Sequence, residues 1–344
     1  MTSAESEKLV GDPGRPMTIA YIAESTGVSV PTVSKVLNGR SGVGADTRAR
    51  VEAAISEFGY RRAAPATRSN TMELVFDQLD DMWGSQIIRG VERVARRRGV
   101  SVVLTEFGPG RDGTRDWIDD AVARRPDCIV TVAQLDEAQR GQLRTRGIPF
   151  VVFDPAVELP DDVPFVGATN WAGGRVATRH LIAQGHRRIA VISGADRILR
   201  CRARLDGYRA AMDAAGLPVE NGFVVRAGLT ADDGRAAALE LLKRPRPPTA
   251  IFTCGDLQAV GVYQAARAVG LRVPADLSVV GFDDAPVAAL IDPPLTTVHQ
   301  PLVEMAVAAT ELALALGRGE RAPRTRVELA TTLTVRQSTA PRVE

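Results

Sequence analysis

Residues 18–39 of this 344-residue chain read TIAYIAESTGVSVPTVSKVLNG, and this stretch decides the fold of the amino-terminal part. Its first apolar residues share one face of a short helix, for which Thr18 is a suitable N-cap. Gly27 follows, where a residue without a Cβ lets the chain turn left-handed without strain. Ser29 can cap a second helix, with Pro31 tolerated in its first turn. The spacing predicts a helix-turn-helix.

A third helix is predicted at residues 47–58, and its apolar side chains complete a small core. Val33 and Val36 lie on the inner face of the second helix, and Val51 and Ile55 on that of the third. The outward face of the second helix carries Val30, Pro31, Thr32, Ser34 and Lys35. A helix that enters the major groove reads base edges with such residues. The alternative is a helical cap with a solvated polar face.

Charge is balanced over the chain, which restricts how nucleic acid can be bound. Lysine and arginine total 43 against 41 acids, giving a formal net charge of +2. Within residues 16–65, six basic residues oppose four acidic ones. Because affinity for DNA scales with the number of phosphates neutralised, one copy of this block would bind weakly. The charge pattern therefore favours two copies acting together as a homodimer.

The rest of the chain predicts an α/β core. Short apolar runs at residues 74–76, 101–104, 128–132, 150–153, 189–192, 250–253 and 279–282 alternate with helix-like stretches. Strands without polar alternation indicate parallel sheets that helices cover on both faces. About 265 residues is long for one such sheet, so two lobes are predicted. The predicted division is a disordered tail (1–16), a headpiece (17–60), a linker (61–73), the core (74–338) and a second tail (339–344).

Several other classes of protein are disfavoured by the sequence. We find no P-loop, nucleophile elbow or dinucleotide-binding motif, so no enzyme activity and no cofactor are expected. The three histidines lack the spacing of a metal site. No long apolar run predicts a membrane span or an export signal. With Cys128, Cys201 and Cys254 distant in sequence, reduced thiols in the cytoplasm are expected.

The headpiece resembles the DNA-binding domain of the lactose/galactose repressor (LacI/GalR) family. The resemblance runs through the stretch quoted above and through VGADTRARVEAAISEFGY at residues 43–60. It continues at GATNWAGGRVATRHLIAQGHRRIAVISG (167–194), PTAIFTCGD (248–256) and DLSVVGFDD (276–284). It implies a two-lobed, periplasmic-binding-protein-like core with parallel sheets, behind an all-α helix-turn-helix headpiece.

Carried over position by position, the resemblance implies a set of DNA contacts. Base reading falls to Val30, Pro31 and Lys35. Phosphate contacts or the turn fall to Thr18, Ser29, Thr32, Ser34, Asn38 and Thr47, and phosphate contacts of the linker to Arg61, Arg62 and Arg68. Ser69 stands where relatives have a leucine that wedges into the minor groove, and Pro65 removes a helical donor. The linker is thus either a phosphate-contacting hinge or a solvated basic segment.

In the core the resemblance implies a cleft that binds a small molecule, commonly a sugar. Arg204 matches the arginine that grips the ligand, and Asp283 matches the ligand-binding acid. The further candidates are Asp77, Asp154, Gly255 and Asp256 at strand ends, with Trp83 and Trp171 to stack on a sugar face. The alternative for Arg204 and Asp283 is a structural salt bridge between the lobes.

Together these features predict a sequence-specific repressor that binds a palindromic operator as a homodimer and responds to a small-molecule effector. A sugar fits the acid-rich cleft, and a purine-like metabolite stays open. The alternative function is that of a sugar-binding protein of a transport system. The predicted helices at residues 85–98 and 302–316 are candidates for the dimer interface.

Overall fold

The computed structural model describes residues 19–37, 42–57, 70–79, 83–107 and 112–342. Two compact units make up the chain, Met1–Thr67 and Arg68–Glu344. The described part of the first unit contains α1 (Ile19–Thr26), α2 (Val30–Leu37) and α3 (Ala45–Glu57).

The three helices of the first unit share a small apolar core. It consists of Ile22, Ala23, Val33, Val36, Val51 and Ala54, all buried. Gly27 takes a φ of +66° between α1 and α2, where the Val28 amide donates to the Ala23 carbonyl at 3.1 Å. This left-handed turn needs a residue without a Cβ, as the sequence predicts. The helix expected at residues 47–58 begins two residues earlier, and Phe58 and Thr18 lie outside the described residues.

The second unit alternates strands and helices along most of its length. In chain order its elements are β1 (Thr71–Phe76), α4 (Gly84–Arg98), β2 (Ser101–Glu106), α5 (Asp112–Arg124), β3 (Cys128–Thr131), α6 (Glu137–Thr145), β4 (Phe150–Phe153), β5 (Phe165–Ala168), α7 (Asn170–Ala183), β6 (Ile189–Ser193), α8 (Leu199–Ala214), β7 (Val224–Arg226), α9 (Ala231–Leu242), β8 (Ala250–Thr253), α10 (Asp256–Ala268), β9 (Ser278–Asp283), α11 (Pro286–Leu290), β10 (Thr296–His299), α12 (Leu302–Gly317), β11 (Arg326–Leu329) and β12 (Thr332–Thr334).

These elements form two lobes, each built on one six-stranded sheet. The strand order is β11-β5-β4-β3-β1-β2 in lobe 1 and β12-β10-β9-β8-β6-β7 in lobe 2. Every pairing is parallel except that of β10 with β12. The central strands are buried along their length because helices cover both faces of each sheet, which explains their unbroken apolar runs.

The chain passes between the lobes three times, after β5, after β10 and after β11. Two of these crossings are hydrogen bonded to each other. The Thr331 amide donates to Thr169 Oγ1 at 3.0 Å, and the Thr169 amide donates to the Leu329 carbonyl at 2.9 Å. Because loops and ligand sites lie at the carboxyl ends of parallel strands, this arrangement places a cleft beside the crossings.

The boundaries of the core differ from those predicted. β1 begins at Thr71, inside the predicted linker, because Thr71 pairs with Ser101 of β2. The predicted tail at residues 339–344 packs on lobe 2 as far as Arg342, whose amide donates to the Gln184 carbonyl at 2.7 Å. Both segments contain polar residues, so a search for apolar runs does not detect them. Their positions are set by hydrogen bonds to residues distant in sequence. No helix in the described part of the chain has the length and apolar character needed to cross a membrane.

Helices α4 and α12 pack against each other in the core of lobe 1. A Cβ at Gly90 would lie 2.5 Å from the Val303 carbonyl oxygen and 2.6 Å from the Ala306 Cβ. The apolar faces of the two helices considered for a dimer interface therefore meet within one chain.

This close approach predicts that Gly90→Ala destabilises lobe 1. The added methyl group must push α12 away, so we expect the free energy of unfolding in urea to fall by about 1–3 kcal/mol. Gly141→Ala in α6 is the matched control, because its new Cβ would meet nothing within 4 Å. There the helix propensity of alanine is expected to raise stability by roughly 0.5–1 kcal/mol. Equal effects of the two substitutions would contradict the tight contact.

Candidate functional site

Helix α2 exposes several of the residues that the family resemblance assigns to DNA contact. Val30 is 46% exposed although it is apolar, and Pro31 and Lys35 are exposed beside it. The helix starts where predicted, because the Thr32 amide donates to Ser29 Oγ at 3.3 Å. The Ser29 and Thr32 hydroxyl oxygens lie 2.9 Å apart. Val33 and Val36, on the inner side of α2, are buried, so Val30, Pro31 and Lys35 form its solvent-exposed face.

The other residues considered for DNA contact divide into two groups. Ser34 and Thr47 are half-buried in the first unit, on α2 and in the first turn of α3. The remaining candidates lie outside the described residues; they are Thr18, Asn38, Arg61, Arg62 and Arg68.

A cavity of about 470 Å³ lies between the two lobes of the second unit. The carboxyl ends of strands from both sheets line it. It brings together seven of the eight residues considered for effector binding, namely Asp77, Trp83, Asp154, Arg204, Gly255, Asp256 and Asp283. Its size lies in the range of small-molecule sites.

Arg204 of α8 is the centre of the lobe-2 wall. Its guanidinium donates from Nε to Asn170 Oδ1 at 2.8 Å, from Nη1 to the Cys254 carbonyl, and from Nη2 to Gln300 Oε1 at 2.9 Å. Nη1 also lies 3.3 Å from Asp283 Oδ1. Three N–H groups of the guanidinium thus donate to protein oxygens, and the Asp283 carboxylate lies beside Nη1.

The backbone of α8 is held in place by close contact with α7. A Cβ at Gly174 of α7 would lie 2.0 Å from the Arg204 carbonyl oxygen, and one at Gly207 would lie 2.1 Å from the Trp171 carbonyl oxygen. The two helices thus touch backbone to backbone at two glycines. The Arg204 guanidinium also lies 3.5 Å from the centre of the Phe282 ring. This packing fixes the position of the guanidinium.

Gln300 links the two lobes, a role that nothing in the local sequence indicates. It lies on the crossing that follows β10, and it is 2% exposed. Its Oε1 accepts from Arg204 of lobe 2, and its Nε2 donates to Asp154 Oδ2 of lobe 1 at 3.2 Å. An unbroken chain of polar contacts therefore runs from Asp283 through Arg204 and Gln300 to Asp154. A buried glutamine next to a strand end gives no local signal of this role.

The acidic residues of the cleft differ in burial, hydrogen bonding and backbone conformation. Asp256 is 1% exposed; its Oδ2 accepts from the Ala285 amide at 2.7 Å and its Oδ1 from Thr297 Oγ1 at 2.6 Å. Burial raises the pKa of Asp256 well above its usual range. Its carboxyl group therefore anchors the floor of lobe 2. Asp154 and Asp283 adopt left-handed φ values of +44° and +104°, a local strain typical of ligand-binding positions.

Further cleft residues were missed, and one candidate lies elsewhere. Gln134, Arg197 and Arg200 also line the cavity, on loops and at a helix start without an apolar pattern to mark them. Trp83 faces the cavity with its ring 6.5 Å from that of Phe76. Trp171 does not line the cavity: it is 46% exposed and lies in an adjoining hollow, which shares Asp154 and Arg200 with the cavity.

Comparison with protein families gives two matches. The family described as "Bacterial regulatory proteins, lacI family" matches residues 18–63, and a "Periplasmic binding protein-like domain" matches residues 178–339. The ribose operon repressor of Escherichia coli (strain K12) is 34% identical over 302 residues, which are 86% of this chain and 91% of that protein.

Solved structures show the same similarity. The complex of the transcriptional regulator CelR with cellobiose is 34% identical, with a TM-score of 0.74 over 94% of this chain and 100% of that one. The lac repressor dimer bound to operator and the anti-inducer ONPF is 28% identical, with a TM-score of 0.70 over 95% of this chain and 100% of that one. Both similarities extend over almost the whole length of the chain.

The environment of Asp283 predicts a pH dependence of stability. Burial raises its pKa from 3.8 to about 6, more than the Arg204 guanidinium lowers it. Between these values the folded protein keeps a proton that the unfolded chain has lost, so the stability contributed by Asp283 is highest below about pH 4 and falls until about pH 6. Asp283→Asn stays neutral and tolerates a positive φ. The free energy of unfolding of the variant, relative to wild type, should rise by roughly 1–3 kcal/mol from pH 4 to pH 7.

Asp276→Asn serves as the control of opposite sign. Hydrogen bonds from Arg272 hold the pKa of Asp276 below its usual range, so its stabilisation is present at neutral pH and lost as the pH falls. Urea denaturation at several pH values measures both variants. A difference between Asp283→Asn and wild type that stays constant with pH would show that this carboxyl group is not protonated by burial.

Proposed function

Because this chain belongs to the LacI family of bacterial regulatory proteins, we propose that it is a repressor that binds a near-palindromic operator as a homodimer. A small effector bound between the lobes of the second unit controls this binding. The observation that carries the proposal is the polar chain through Arg204 and Gln300, which joins the two walls of the cavity. Because a repressor acts on chromosomal DNA, we propose that the protein works in the cytoplasm.

Helix α2 is the element that reads the operator. Val30 and Pro31 lack hydrogen-bonding side chains, so they suit apolar contact with thymine methyl groups. Lys35, exposed in the last turn of α2, suits a guanine edge or a phosphate. The small excess of basic residues in the headpiece makes binding by a single copy weak. Two copies related by a twofold axis require two half-sites in matching symmetry.

The effector that the cavity suits best is a sugar. Carboxylates and a guanidinium pair with hydroxyl groups, and the rings of Phe76 and Trp83 offer apolar surface to a sugar face. A volume of about 470 Å³ has room for a mono- or disaccharide. The complex of CelR with cellobiose and the ribose operon repressor, both similar to this chain, support this choice.

Control of DNA binding requires that the effector prefer one arrangement of the lobes. A ligand with equal affinity for both arrangements shifts nothing, however tightly it binds. A hundredfold change in operator affinity needs only roughly 2.7 kcal/mol of coupling. A sugar hydroxyl that bonds to Arg204 or Asp154 competes with Gln300 for the same groups. The ligand can therefore change a polar chain that connects the lobes across the cavity.

Arg204→Ala is expected to keep operator binding but to lose the response to effector. Removal of a charged hydrogen-bond donor from the cleft should weaken sugar binding by about tenfold to a hundredfold. Gel shifts with the upstream region of the gene, with and without cellobiose or ribose, measure both properties. Arg209→Ala, on the exposed side of the same helix, is the matched control and should behave like wild type. A variant at position 204 that still responds at the wild-type sugar concentration would count against the proposed site.

Lys35→Ala is expected to reduce specific DNA binding and leave effector binding intact. Loss of one base contact should lower the ratio of operator to non-specific affinity by about fivefold to a hundredfold. Lys243→Ala removes the same charge from an exposed site in the second unit and serves as the control. Fluorescence anisotropy with operator and scrambled duplexes at one salt concentration measures the ratio. An unchanged ratio would remove Lys35 from base reading.

A further inference from the structure

Two cysteine side chains that are distant in sequence meet in the wall of lobe 2. Cys201 lies in the first turn of α8, and Cys254 follows β8. Both are free thiols, and they lie close enough for each to shift the pKa of the other. The Cys254 Sγ atom also lies 3.6 Å from Ser193 Oγ and 4.0 Å from the Cys201 carbonyl oxygen. Such proximity is the first requirement for a disulfide bond.

The surroundings favour the reactive thiolate form of Cys201 and the thiol form of Cys254, whose pKa is raised well above its usual range. The hydrogen bond with Cys254 lowers the pKa of Cys201 to about 6, and the positive charges of Arg204 and Arg200 act in the same direction. The thiolate, not the thiol, attacks an oxidant. Cys128 offers a contrast, since burial in lobe 1 raises its pKa to about 12.

The pair is buried, and one member of it, Cys254, borders the cavity. Cys201 and Cys254 are each 1% exposed, and Cys254 is one of the residues that line the space between the lobes. A small oxidant can thus approach through the cavity that also admits the effector. A bound effector would cover the same wall and slow the approach.

We propose that Cys201 and Cys254 form a dithiol site that a peroxide oxidises to a disulfide. The Cys201 sulfur attacks one peroxide oxygen, the O–O bond breaks, and the departing hydroxide takes up a proton to leave as water. The resulting sulfenic acid at Cys201 is attacked by the sulfur of Cys254, and its oxygen leaves as a second water with the remaining protons. Two thiols and one hydrogen peroxide become one disulfide and two waters, and the two electrons pass from sulfur to peroxide.

The disulfide would act on the residue that holds the lobe-2 wall together. The Cys254 carbonyl accepts a hydrogen bond from Arg204, and Cys201 precedes Arg204 by one turn of α8. Linking the two sulfurs moves both of these supports and changes the position of the guanidinium. Oxidised protein should therefore bind its effector more weakly. This consequence rests on the proposed function, whereas formation of the disulfide does not.

The test compares wild type with three variants, Cys201→Ser, Cys254→Ser and Cys128→Ser. Each full-length protein is reduced, desalted, treated with hydrogen peroxide and analysed by intact mass and non-reducing peptide mapping. Wild type and Cys128→Ser should lose the mass of two hydrogen atoms and form a Cys201–Cys254 cross-link. Dithiothreitol should restore the mass of the reduced protein. The two other variants should form no internal disulfide. Oxygen addition without a cross-link, a cross-link to Cys128, or thiols that react only after unfolding would overturn the proposal.

A second measurement separates this site from the proposed sugar response. Melting temperatures are recorded for reduced and oxidised wild type with cellobiose and with ribose, since a bound ligand stabilises the folded state. A smaller sugar-induced shift after oxidation supports the link to Arg204, and an equal shift contradicts that link. If neither sugar raises the melting temperature of the reduced protein, the sugar assignment fails while the mass analysis still decides the dithiol.

Discussion

The buried guanidinium of Arg204 is the constraint on which the cleft depends. A charge that is 3% exposed is costly unless it is paired and hydrogen bonded. Its partners come from separate parts of the chain: Asn170 at the start of α7, Cys254 after β8, Asp283 at the end of β9 and Gln300 on a crossing. Satisfying this one group therefore fixes the relative positions of a helix, two strand ends and a crossing segment.

The same group connects local geometry to control at a distance. Through Gln300, the contacts of Arg204 reach Asp154, which belongs to the other lobe. Two of the three crossings are bonded to each other at Thr169 and Thr331, so the lobes share a fixed edge. Under the proposed function, a ligand in the cavity would act by turning the lobes about that edge. This is the kind of two-state element through which a ligand can bias a distant binding surface.

Local signals account for what the sequence could predict. Caps, a glycine turn and apolar spacing define the first two helices within about twenty residues, and continuous apolar runs mark the central strands. Five strands were not predicted: β5, β7, β10, β11 and β12. The first two are only four and three residues long, and TTVH, RVEL and TLT carry polar residues and owe their conformation to pairing with distant strands. Arg204 and Asp283 came from the family resemblance. The role of Gln300 and the contact between Cys201 and Cys254 could not be predicted. Gln300 lies 96 positions from its partner Arg204, and Cys254 lies 53 positions from Cys201.

The backbone contact between α7 and α8 has a consequence for how the receptor can change its ligand. No side chain fits at Gly174 or Gly207, so the wall that carries Arg204 tolerates little variation. Asp77 and Arg197, in contrast, reach the cavity from loops on which no such contact depends. Substitutions at these loop positions are thus the easiest way for selection to change which metabolite is bound. Arg204 and its polar contacts through Gln300 can then stay unchanged.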